Sequence, residues 1–205
     1  MKKLLPLLLL ILIGCSEPEP LNYQLLTERD GVHYRTDTNE IFSGPVFNIN
    51  GTSEGTLKKG KFHGPWKFYY ENGQLKEEGT YKYNKLDGPF KLYHENGQLN
   101  EESTWKDGKP DGPYKWYNDN GQLEEEGTYK TNQLYGKRDG PYKEYYDNGQ
   151  LRKESTYKNG NVDGLFKSYF ENGQLEREIT YKDGIPSGPY TSYYENGQLE
   201  EKGTY

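Results

Sequence analysis

A carboxylate stands directly before each of six Asn-Gly-Gln-Leu phrases, and this row is the first feature of the sequence whose residue types and spacing could do chemistry. Its members are Glu71, Glu95, Asp119, Asp147, Glu171 and Glu195. If each copy belongs to one hairpin, two strands place neighbouring carboxylates about 10 Å apart. A single metal ion needs its oxygen ligands at about 2.4 Å. We therefore expect a solvated rim that holds no metal and no cofactor.

Histidines and catalytic motifs offer no second site of this kind. The sequence has no Gly-x-Ser-x-Gly, His-Glu-x-x-His, phosphate-loop or dinucleotide-binding motif. His33, His63 and His94 have no second histidine or cysteine close to them in the sequence, and we expect them at the surface. The sequence therefore predicts no catalytic residue and a protein that is not an enzyme.

Cys15 is the only cysteine of the chain and directly follows an apolar run. A basic start, Lys2-Lys3, precedes that run, which occupies residues 4–13. The run is too short for an ordinary membrane-spanning helix and has the form of a secretory signal. An ordinary secretory leader with an incidental thiol is one interpretation of Cys15, and lipidation is the other.

The residues Leu12-Ile13-Gly14-Cys15 resemble the lipobox of bacterial lipoproteins. The resemblance implies cleavage before Cys15 and acylation of that residue. Two or three acyl chains hold a protein on a membrane with no help from its fold. We therefore predict a signal peptide at residues 1–14, an acylated cysteine and tether at 15–22, and a lipid-anchored protein of the cell envelope. Because Ser16, and not an aspartate, follows the cysteine, the outer membrane is favoured if the source is Gram-negative.

Tyrosine recurs at one position of every repeat, where its side chain could contact a partner. The row comprises Tyr69, Tyr93, Tyr117, Tyr145, Tyr169 and Tyr193. An aromatic residue also recurs three positions earlier, at Trp66, Phe90, Tyr114, Tyr142, Phe166 and Tyr190. Positions three apart on a strand point to opposite faces, so both faces should carry aromatic rings. Tyrosine combines rigid area with a polar tip. We predict that the tyrosine row is an interaction face, the alternative being that it only supports the sheet.

These side chains are positioned by the phrase Asn-Gly-Gln-Leu, which occurs six times. Its copies start 24, 24, 28, 24 and 24 residues apart, a spacing typical of stacked repeats. Asn-Gly predicts a type I′ hairpin turn, because both residues tolerate the positive φ that this turn requires. The predicted structural turns are Asn72 and Gly73, Asn96 and Gly97, Asn120 and Gly121, Asn148 and Gly149, Asn172 and Gly173, and Asn196 and Gly197.

Charges indicate the register of each hairpin. A two-residue loop places Lys67 opposite Glu78 and gives equivalent pairs in the next four repeats: Lys91 with Glu102, Lys115 with Glu126, Lys143 with Glu154, and Lys167 with Glu178. A three-residue loop would place Lys143 against Lys153, and like charges directly opposite are destabilising. The two-residue register is therefore favoured.

The segments between hairpins are less regular. Proline cannot donate to a strand ladder, so Pro65, Pro89, Pro113, Pro141 and Pro189 should begin strands. Residues 131–138 replace a joint of four residues with one of eight and should form a longer loop. Residues 23–63 match the repeat imperfectly, and we interpret them as divergent capping repeats that keep Gly44 opposite Leu57. Six hairpin repeats follow at 64–205, the last one truncated, and its final strand is a candidate for self-association.

Composition supports a thin repetitive sheet. Of 205 residues only 31% are hydrophobic, and the mean hydropathy is −1.17. This composition argues against one thick apolar core, and a net charge of −6 makes nucleic acid a poor partner. We predict an all-β fold, an elongated single-layer antiparallel β-meander built from stacked β-hairpin repeats of about 24 residues.

The recurring phrases Tyr-x-Glu-Asn-Gly-Gln-Leu and Tyr-Lys-Asp-Gly resemble the bacterial variant of MORN (membrane occupation and recognition nexus) repeats over residues 25–205. The resemblance implies a meandering antiparallel sheet, and chains of this composition are often labelled YwqK-type antitoxins. Three functions stay open: an envelope scaffold for a protein partner, an immunity or antitoxin-like protein that neutralises a toxin, and a protein that binds cell-wall or surface glycan through its aromatic row.

Overall fold

The computed structural model describes residues 18–132 and 135–205. The predicted signal peptide, Cys15 and the start of the tether lie outside the described residues. The first strands are β1 Leu21–Asn22, β2 Leu26–Arg29, β3 Val32–Arg35, β4 Gly44–Phe47, β5 Ser53–Lys58, β6 Lys61–Tyr69, β7 Leu75–Lys82, β8 Lys85–Tyr93, β9 Leu99–Lys106 and β10 Lys109–Tyr117. The remaining strands are β11 Leu123–Asn132, β12 Tyr135–Arg138, β13 Gly140–Tyr145, β14 Leu151–Lys158, β15 Asn161–Val162, β16 Gly164–Tyr169, β17 Leu175–Lys182, β18 Ile185–Tyr193 and β19 Leu199–Thr204.

One long sheet contains β1 and β4 to β19. β1 pairs with β4 in parallel, and from β4 onward the pairing is antiparallel and joins most strands to their neighbours in sequence. The strands β12 and β13 lie one after the other along β11, and β15 and β16 do the same along β14. Within the described residues there is no α-helix, only one 3-10 turn at Tyr23–Leu25. The predicted all-β meander of stacked hairpins is confirmed.

The charge register of the hairpins is also confirmed. Lys67 faces Glu78, and the four equivalent pairs of the following repeats face each other in the same way. Side chains alternate along each strand, so the sheet has two distinct surfaces. We call the surface that carries Trp66 and its equivalents the aromatic face, and the surface that carries Tyr69 and its equivalents the tyrosine face.

The predicted type I′ turn does not form at Asn-Gly. In the first repeat the Gly73 N–H donates to the Tyr70 carbonyl at 2.9 Å, and only Gly73, not Asn72, has a positive φ, of 82°. The tip is therefore a three-residue loop with glycine in the left-handed position. Tyr69 pairs with Leu75 while Phe68 pairs with Glu77, so Lys76 is an extra, bulged residue. That bulge restores the register of a two-residue loop.

The tight two-residue turns form instead at the joints between hairpins. Asp107 and Gly108 have φ of 50° and 80°, and Tyr83 and Asn84 have φ of 52° and 70°. Positive φ at both central residues is what a type I′ turn requires. Lys106 then faces Lys109 directly across the joint. The joints thus connect one hairpin to the next through a short paired segment on each side of the turn.

Pro65, Pro89, Pro113 and Pro189 lie inside strands, against the prediction that proline begins one, whereas Pro141 is at the start of β13, as predicted. Pro89 is within Lys85–Tyr93, and Pro65 is within Lys61–Tyr69. Between β7 and β8, Gly79 pairs with Phe90 and Tyr81 pairs with Leu86. Thr80 therefore lies opposite the three residues 87–89, which form a bulge. Proline is tolerated at such a bulge because no ladder bond is needed there. Gly88, with φ of 134°, supplies the backbone conformation that the bulge needs.

The described residues of the insertion, 131–132 and 135–138, lie in strands, which corrects the prediction of a longer loop. They extend β11 to Asn132 and add β12, with Thr131 facing Gly136 and Tyr129 facing Arg138. A longer hairpin forms because the extra residues continue the ladder of the neighbouring strand. The insertion therefore places Arg138 beside the aromatic face.

The residues before the repeats fold over the start of the aromatic face. Gly44 faces Leu57, as predicted, and Val46, Leu57 and Trp66 form a buried cluster. His33 is 3% exposed, which corrects the expectation that it lies at the surface. Its Nδ1 donates to the Gly60 carbonyl at 2.8 Å, and its Nε2 accepts from the Tyr23 hydroxyl. His33 therefore joins this segment to the sheet.

Candidate functional site

A row of alternating charges crosses the tyrosine face from hairpin to hairpin. Successive facing residues are Glu54, Lys67, Glu78, Lys91, Glu102, Lys115, Glu126, Lys143, Glu154, Lys167 and Glu178. The row then continues with Thr191 and Lys202. Each of the five lysines from Lys67 to Lys167 has a glutamate on both sides, so the surface of the row is close to neutral along most of its length.

Each lysine approaches the glutamate of the preceding hairpin. The Lys91 Nζ lies 3.7 Å from Glu78, and the Lys115 Nζ lies 3.8 Å from Glu102. Lys167 is near both of its neighbours, at 4.0 Å from Glu154 and 3.6 Å from Glu178. These ion pairs are partly exposed and weak individually, at about 0–1 kcal/mol.

Tyrosine hydroxyls donate to the same glutamates. The bonds are Tyr69 to Glu54 at 2.7 Å, Tyr93 to Glu78 at 2.9 Å, Tyr117 to Glu102 at 3.1 Å, Tyr145 to Glu126 at 2.8 Å and Tyr169 to Glu154 at 2.7 Å. Tyr193, the sixth predicted interaction residue, makes no such bond among the described residues. All six tyrosines are half-buried. Each glutamate thus orients one tyrosine and one lysine.

Burial and these bonds keep the tyrosines neutral. Burial, followed by the hydrogen bond to glutamate, raises the pKa of Tyr69, Tyr93, Tyr117 and Tyr145 to about 12. The pKa of Tyr169 is raised for the same reasons. A neutral phenol beside a carboxylate acts as a fixed donor. The row therefore offers contact surface with a defined orientation and no reactive phenolate near neutral pH.

A furrow runs along the tyrosine face beside the charged row. Five cavities of about 620, 290, 410, 280 and 260 Å³ follow one another from Pro20 to Lys167. Neighbouring cavities share their walls, as at Pro89 and Lys91 or Pro113 and Lys115. Five repeats at about 10 Å each make the furrow about 50 Å long.

The two walls of the furrow differ in chemistry. Lysines and glutamates of the charged row form one wall. Prolines and threonines form the other: Pro45, Thr56, Pro65, Thr80, Pro89, Thr104, Pro113, Thr128, Pro141 and Thr156. Apolar rings, hydroxyls and aliphatic lysine stems together suit a ligand with both apolar and hydrogen-bonding groups.

The aromatic face is largely used for packing. Trp66 is 1% exposed, Tyr114 2% and Phe90 9%. The Trp66 ring lies over Gly55, where a Cβ atom would sit 2.2 Å from it, and Tyr114 lies over Gly127 in the same way. Covering glycine with an aromatic ring lets a single sheet bury large side chains. These rings are therefore structural.

A polar cluster on the aromatic face was missed by the sequence reasoning. Arg138 binds Glu125 at 2.5 Å and donates to the Tyr114 hydroxyl at 3.0 Å. The Tyr142 hydroxyl contacts both Glu125, at 3.1 Å, and Glu144, at 3.0 Å. A signal was present in the sequence, because Arg138 occupies the repeat position filled elsewhere by apolar residues: Phe62, Leu86, Pro110, Val162 and Pro186.

The other described residues singled out in the sequence lie at exposed or half-buried positions. The carboxylates before each turn, such as Glu71 and Asp119, are exposed. In residues 18–132 and 135–205 no group of three or more histidine, cysteine and acidic side chains is placed to hold a metal ion. Over the same ranges no helix has the length and apolar character needed to cross a membrane. His94 is half-buried and its Nε2 donates to the Tyr117 carbonyl at 3.0 Å.

Comparison with known families identifies the repeat. The model of the MORN repeat variant matches residues 62–83, 86–107, 110–131, 138–159, 162–183 and 186–205. Residues 132–137, which include most of the insertion, fall between two matches. No curated protein matches the chain. Repeats of this family are non-catalytic scaffolds that generally serve interactions with proteins or membranes. Since the six matches cover more than half of its length, the chain belongs to the MORN repeat variant family.

Proposed function

We propose that this protein is a non-catalytic scaffold of the cell envelope that is anchored by lipid on Cys15 and binds a partner protein along the furrow of the tyrosine face. The furrow carries the proposal, because it is continuous over five hairpins and proline, threonine, lysine and glutamate recur along most of its walls. The general role of the repeat family in interactions supports it. The anchor rests on the sequence around Cys15.

The occupant that fits best is an extended polypeptide segment. A strand rises about 3.3 Å per residue, so about 15 residues would fill a furrow about 50 Å long. The prolines offer apolar contacts and the threonines offer hydroxyls once per hairpin, about every 10 Å, which corresponds to about every third residue of an extended chain. The alternating charges disfavour a partner with a long run of one sign, since each unit would meet a like charge as often as an opposite one.

The tyrosine row would form the outer rim of this site. Tyr93 and Tyr117 are half-buried, and their hydroxyls are already directed to Glu78 and Glu102. Rings that are held in place lose little conformational entropy on binding. The aromatic face offers less, because Trp66, Phe90, Tyr114 and Tyr142 are buried.

Two other kinds of partner, a toxin and a glycan, can be distinguished by what the protein captures. A toxin would be a protein partner of the kind proposed, and its capture would assign an immunity role. A cell-wall or surface glycan would instead stack on the tyrosine rings and would be recovered with isolated sacculi. Two results together would favour the glycan alternative over the proposal: no protein is captured, and replacing Tyr93 and Tyr117 with serine abolishes binding to the sacculi.

The test is crosslinking in intact cells that express the full chain with Cys15 retained. Thr104→Arg and Thr128→Arg fill the furrow from its threonine wall and should abolish the crosslinked protein while melting is unchanged. Thr204→Arg is the matched control, because Thr204 has the same repeat position beyond the cavities. Capture that is unaffected by both furrow variants would contradict the site. Cys15→Ala should move the protein from the membrane to the soluble fraction, and retention on the membrane would contradict the anchor.

A further inference from the structure

The tips of the hairpins are tied to one another through the asparagine of Asn-Gly. At four tips the asparagine Nδ2 donates to a carbonyl of the next tip: Asn72 to Glu95 at 3.2 Å, Asn96 to Asp119 at 2.6 Å, Asn148 to Glu171 at 3.0 Å, and Asn172 to Glu195 at 3.3 Å. The Oδ1 atoms of these four asparagines accept the N–H of the following glutamine at 2.9 Å. Their carboxamides are therefore held at both ends.

The third tip lacks these bonds. Asn118 takes over the acceptor role, and its Oδ1 accepts the N–H groups of Asn120, at 3.1 Å, and Gln122, at 2.9 Å. Within the described part of the chain, the Asn120 carboxamide makes no hydrogen bond. The first, second and fourth tips have Tyr70, His94 and Tyr146 where the third has Asn118, and these side chains reach a carbonyl of the next tip at 2.7, 3.0 and 2.7 Å. The third tip is thus tied to the fourth neither by Asn120 nor by Asn118.

We propose that Asn120 is a site of spontaneous deamidation. The Gly121 nitrogen would attack the Asn120 Cγ, forming a five-membered succinimide and releasing ammonia. Water then opens the ring to aspartate or isoaspartate, so that the net reaction consumes one water and converts the amide to a carboxylate. Glycine after asparagine favours this step because no Cβ hinders the approach. A carboxamide that is free to turn reaches the attacking geometry more often than one held at both ends.

The same argument ranks the other exposed Asn-Gly tips. Asn50 is in the arrangement of Asn120, since its N–H donates to Asn48 Oδ1 at 3.1 Å and its carboxamide makes no bond within the described residues. Asn196 is intermediate, because its Oδ1 accepts from the Gln198 N–H at 3.0 Å but its Nδ2 has no such partner. We expect Asn50 and Asn120 to react first, Asn196 next, and the four tied asparagines last. A hydrogen bond of ordinary net strength corresponds to roughly fivefold, so the extremes should differ by about tenfold or more.

Deamidation at Asn120 leaves the hydrogen bonds between hairpin tips intact. A new carboxylate at residue 120 lies beside Asp119 on an exposed tip. Deamidation at Asn96 would instead remove the donor that binds the Asp119 carbonyl. The modification therefore adds negative charge at the third tip without breaking a bond between repeats.

The test is peptide mapping by mass spectrometry of the purified protein incubated at mildly alkaline pH. The folded chain should gain one mass unit at Asn120 about tenfold faster than at Asn148. A reciprocal exchange isolates the cause, because Asn118→Tyr gives the third tip the sequence of the fourth and Tyr146→Asn gives the fourth the sequence of the third. Asn118→Tyr should slow the reaction at Asn120, and Tyr146→Asn should speed it at Asn148.

Two results would overturn the proposal. Equal rates at Asn120 and Asn148 in the folded chain would show that the tip bonds do not control the reaction. A difference that persists in denaturant would assign it to local sequence instead of structure. The predicted rank requires the difference to disappear on unfolding, and circular dichroism of both exchange variants establishes that they are folded.

Discussion

Two parts of the aromatic face occupy equivalent repeat positions with opposite chemistry. Around Trp66 the neighbours are Phe62, with ring centroids 4.0 Å apart, and Phe68, at 5.7 Å. At the joint between the third and fourth hairpins, Arg138 stands in the position of Phe62 and Glu144 in that of Phe68. The first part is an aromatic stack, and the second is a network of ions and hydroxyls.

The network compensates a feature that would otherwise be unfavourable. Glu125 and Glu144 face each other across the sheet, and like charges in that position are destabilising. Arg138 neutralises Glu125, while Arg152 and Lys153 lie 2.8 and 3.2 Å from Glu144. The repeat therefore tolerates either apolar or charged side chains at these positions, provided that each charge is paired.

The largest effect should come from the aromatic stack. Trp66→Ala removes a ring that is 1% exposed and leaves a cavity against Phe62. The free energy of unfolding, measured by urea titration, should therefore fall by about 3–5 kcal/mol. Tyr190→Ala is the matched control at the same repeat position, where the ring is only half-buried. Equal losses for the two variants would contradict the view that the first hairpins hold the main buried cluster.

Arg138→Met should be the most damaging change in the polar network. It leaves Glu125, whose side chain is 13% exposed, unpaired and opposite Glu144, at a cost of about 2–4 kcal/mol. The double variant Arg138→Met, Glu125→Leu should recover most of that loss. A double-mutant cycle measured by urea unfolding gives the coupling, and additive losses would show that the two residues do not stabilise each other.

The glycines under the rings give a smaller effect. Gly127→Ala would place a Cβ atom 2.8–2.9 Å from the Tyr114 ring and hydroxyl, and we expect a loss of about 1–3 kcal/mol as the ring shifts. Ser155 occupies the same position of the next hairpin and already has a Cβ atom, so Ser155→Ala should change the free energy of unfolding little. A neutral Gly127→Ala would mean that Tyr114 can move away without losing its contacts.

Alkaline pH should destabilise the polar network around Tyr142 more than the aromatic stack around Trp66. Burial, followed by the charges of Glu125 and Glu144, raises the pKa of Tyr142 above its ordinary 10.0. A raised pKa in the folded state means that the stabilisation is complete below pH 10 and is lost as pH rises towards the folded pKa. Tyr142→Phe, which installs the residue type of Phe90 and Phe166, should lower stability at neutral pH by about 0.5–1.5 kcal/mol and flatten the loss above pH 10. Thermal melts from pH 7 to 11 measure both, and an unchanged slope would contradict the assignment.

The charged row of the tyrosine face should give the smallest effect. Lys115→Met removes an ammonium group 3.8 Å from Glu102 that is 43% exposed, and we expect a change of at most about 1 kcal/mol. The effect should shrink further in high salt, because exposed pairs are screened. A larger loss that is independent of salt would indicate that the lysine stem, and not its charge, contributes.

Much of the fold could be predicted because the repeat supplies the same evidence six times. Lys115 opposite Glu126 follows from charge alternation alone, and Gly44 opposite Leu57 follows from counting back along the arms. The turn types could not be predicted from the dipeptide. Asn-Gly and Asp-Gly have the same local preference, and the bulge at residues such as Lys76 depends on pairing across the whole hairpin.

The candidate site was less visible in the sequence. The tyrosine row could be found from spacing, but the furrow depends on Pro-Thr and Lys-Glu pairs that only the sheet brings side by side. The burial of His33 depends on the first strands folding back over Phe62, a contact between segments 27 residues apart or more. Arg138 stands out only once the repeats are aligned and its position is seen to be apolar elsewhere.

The backward direction of the contacts on the tyrosine face has a consequence for biosynthesis. Lys91 and Tyr93 both reach Glu78, which the ribosome makes earlier, and the same holds at the next joints. A hairpin that emerges from the ribosome or a translocation channel therefore meets acceptors that are already in place. Assembly can proceed vectorially, one unit at a time, without waiting for the carboxyl terminus.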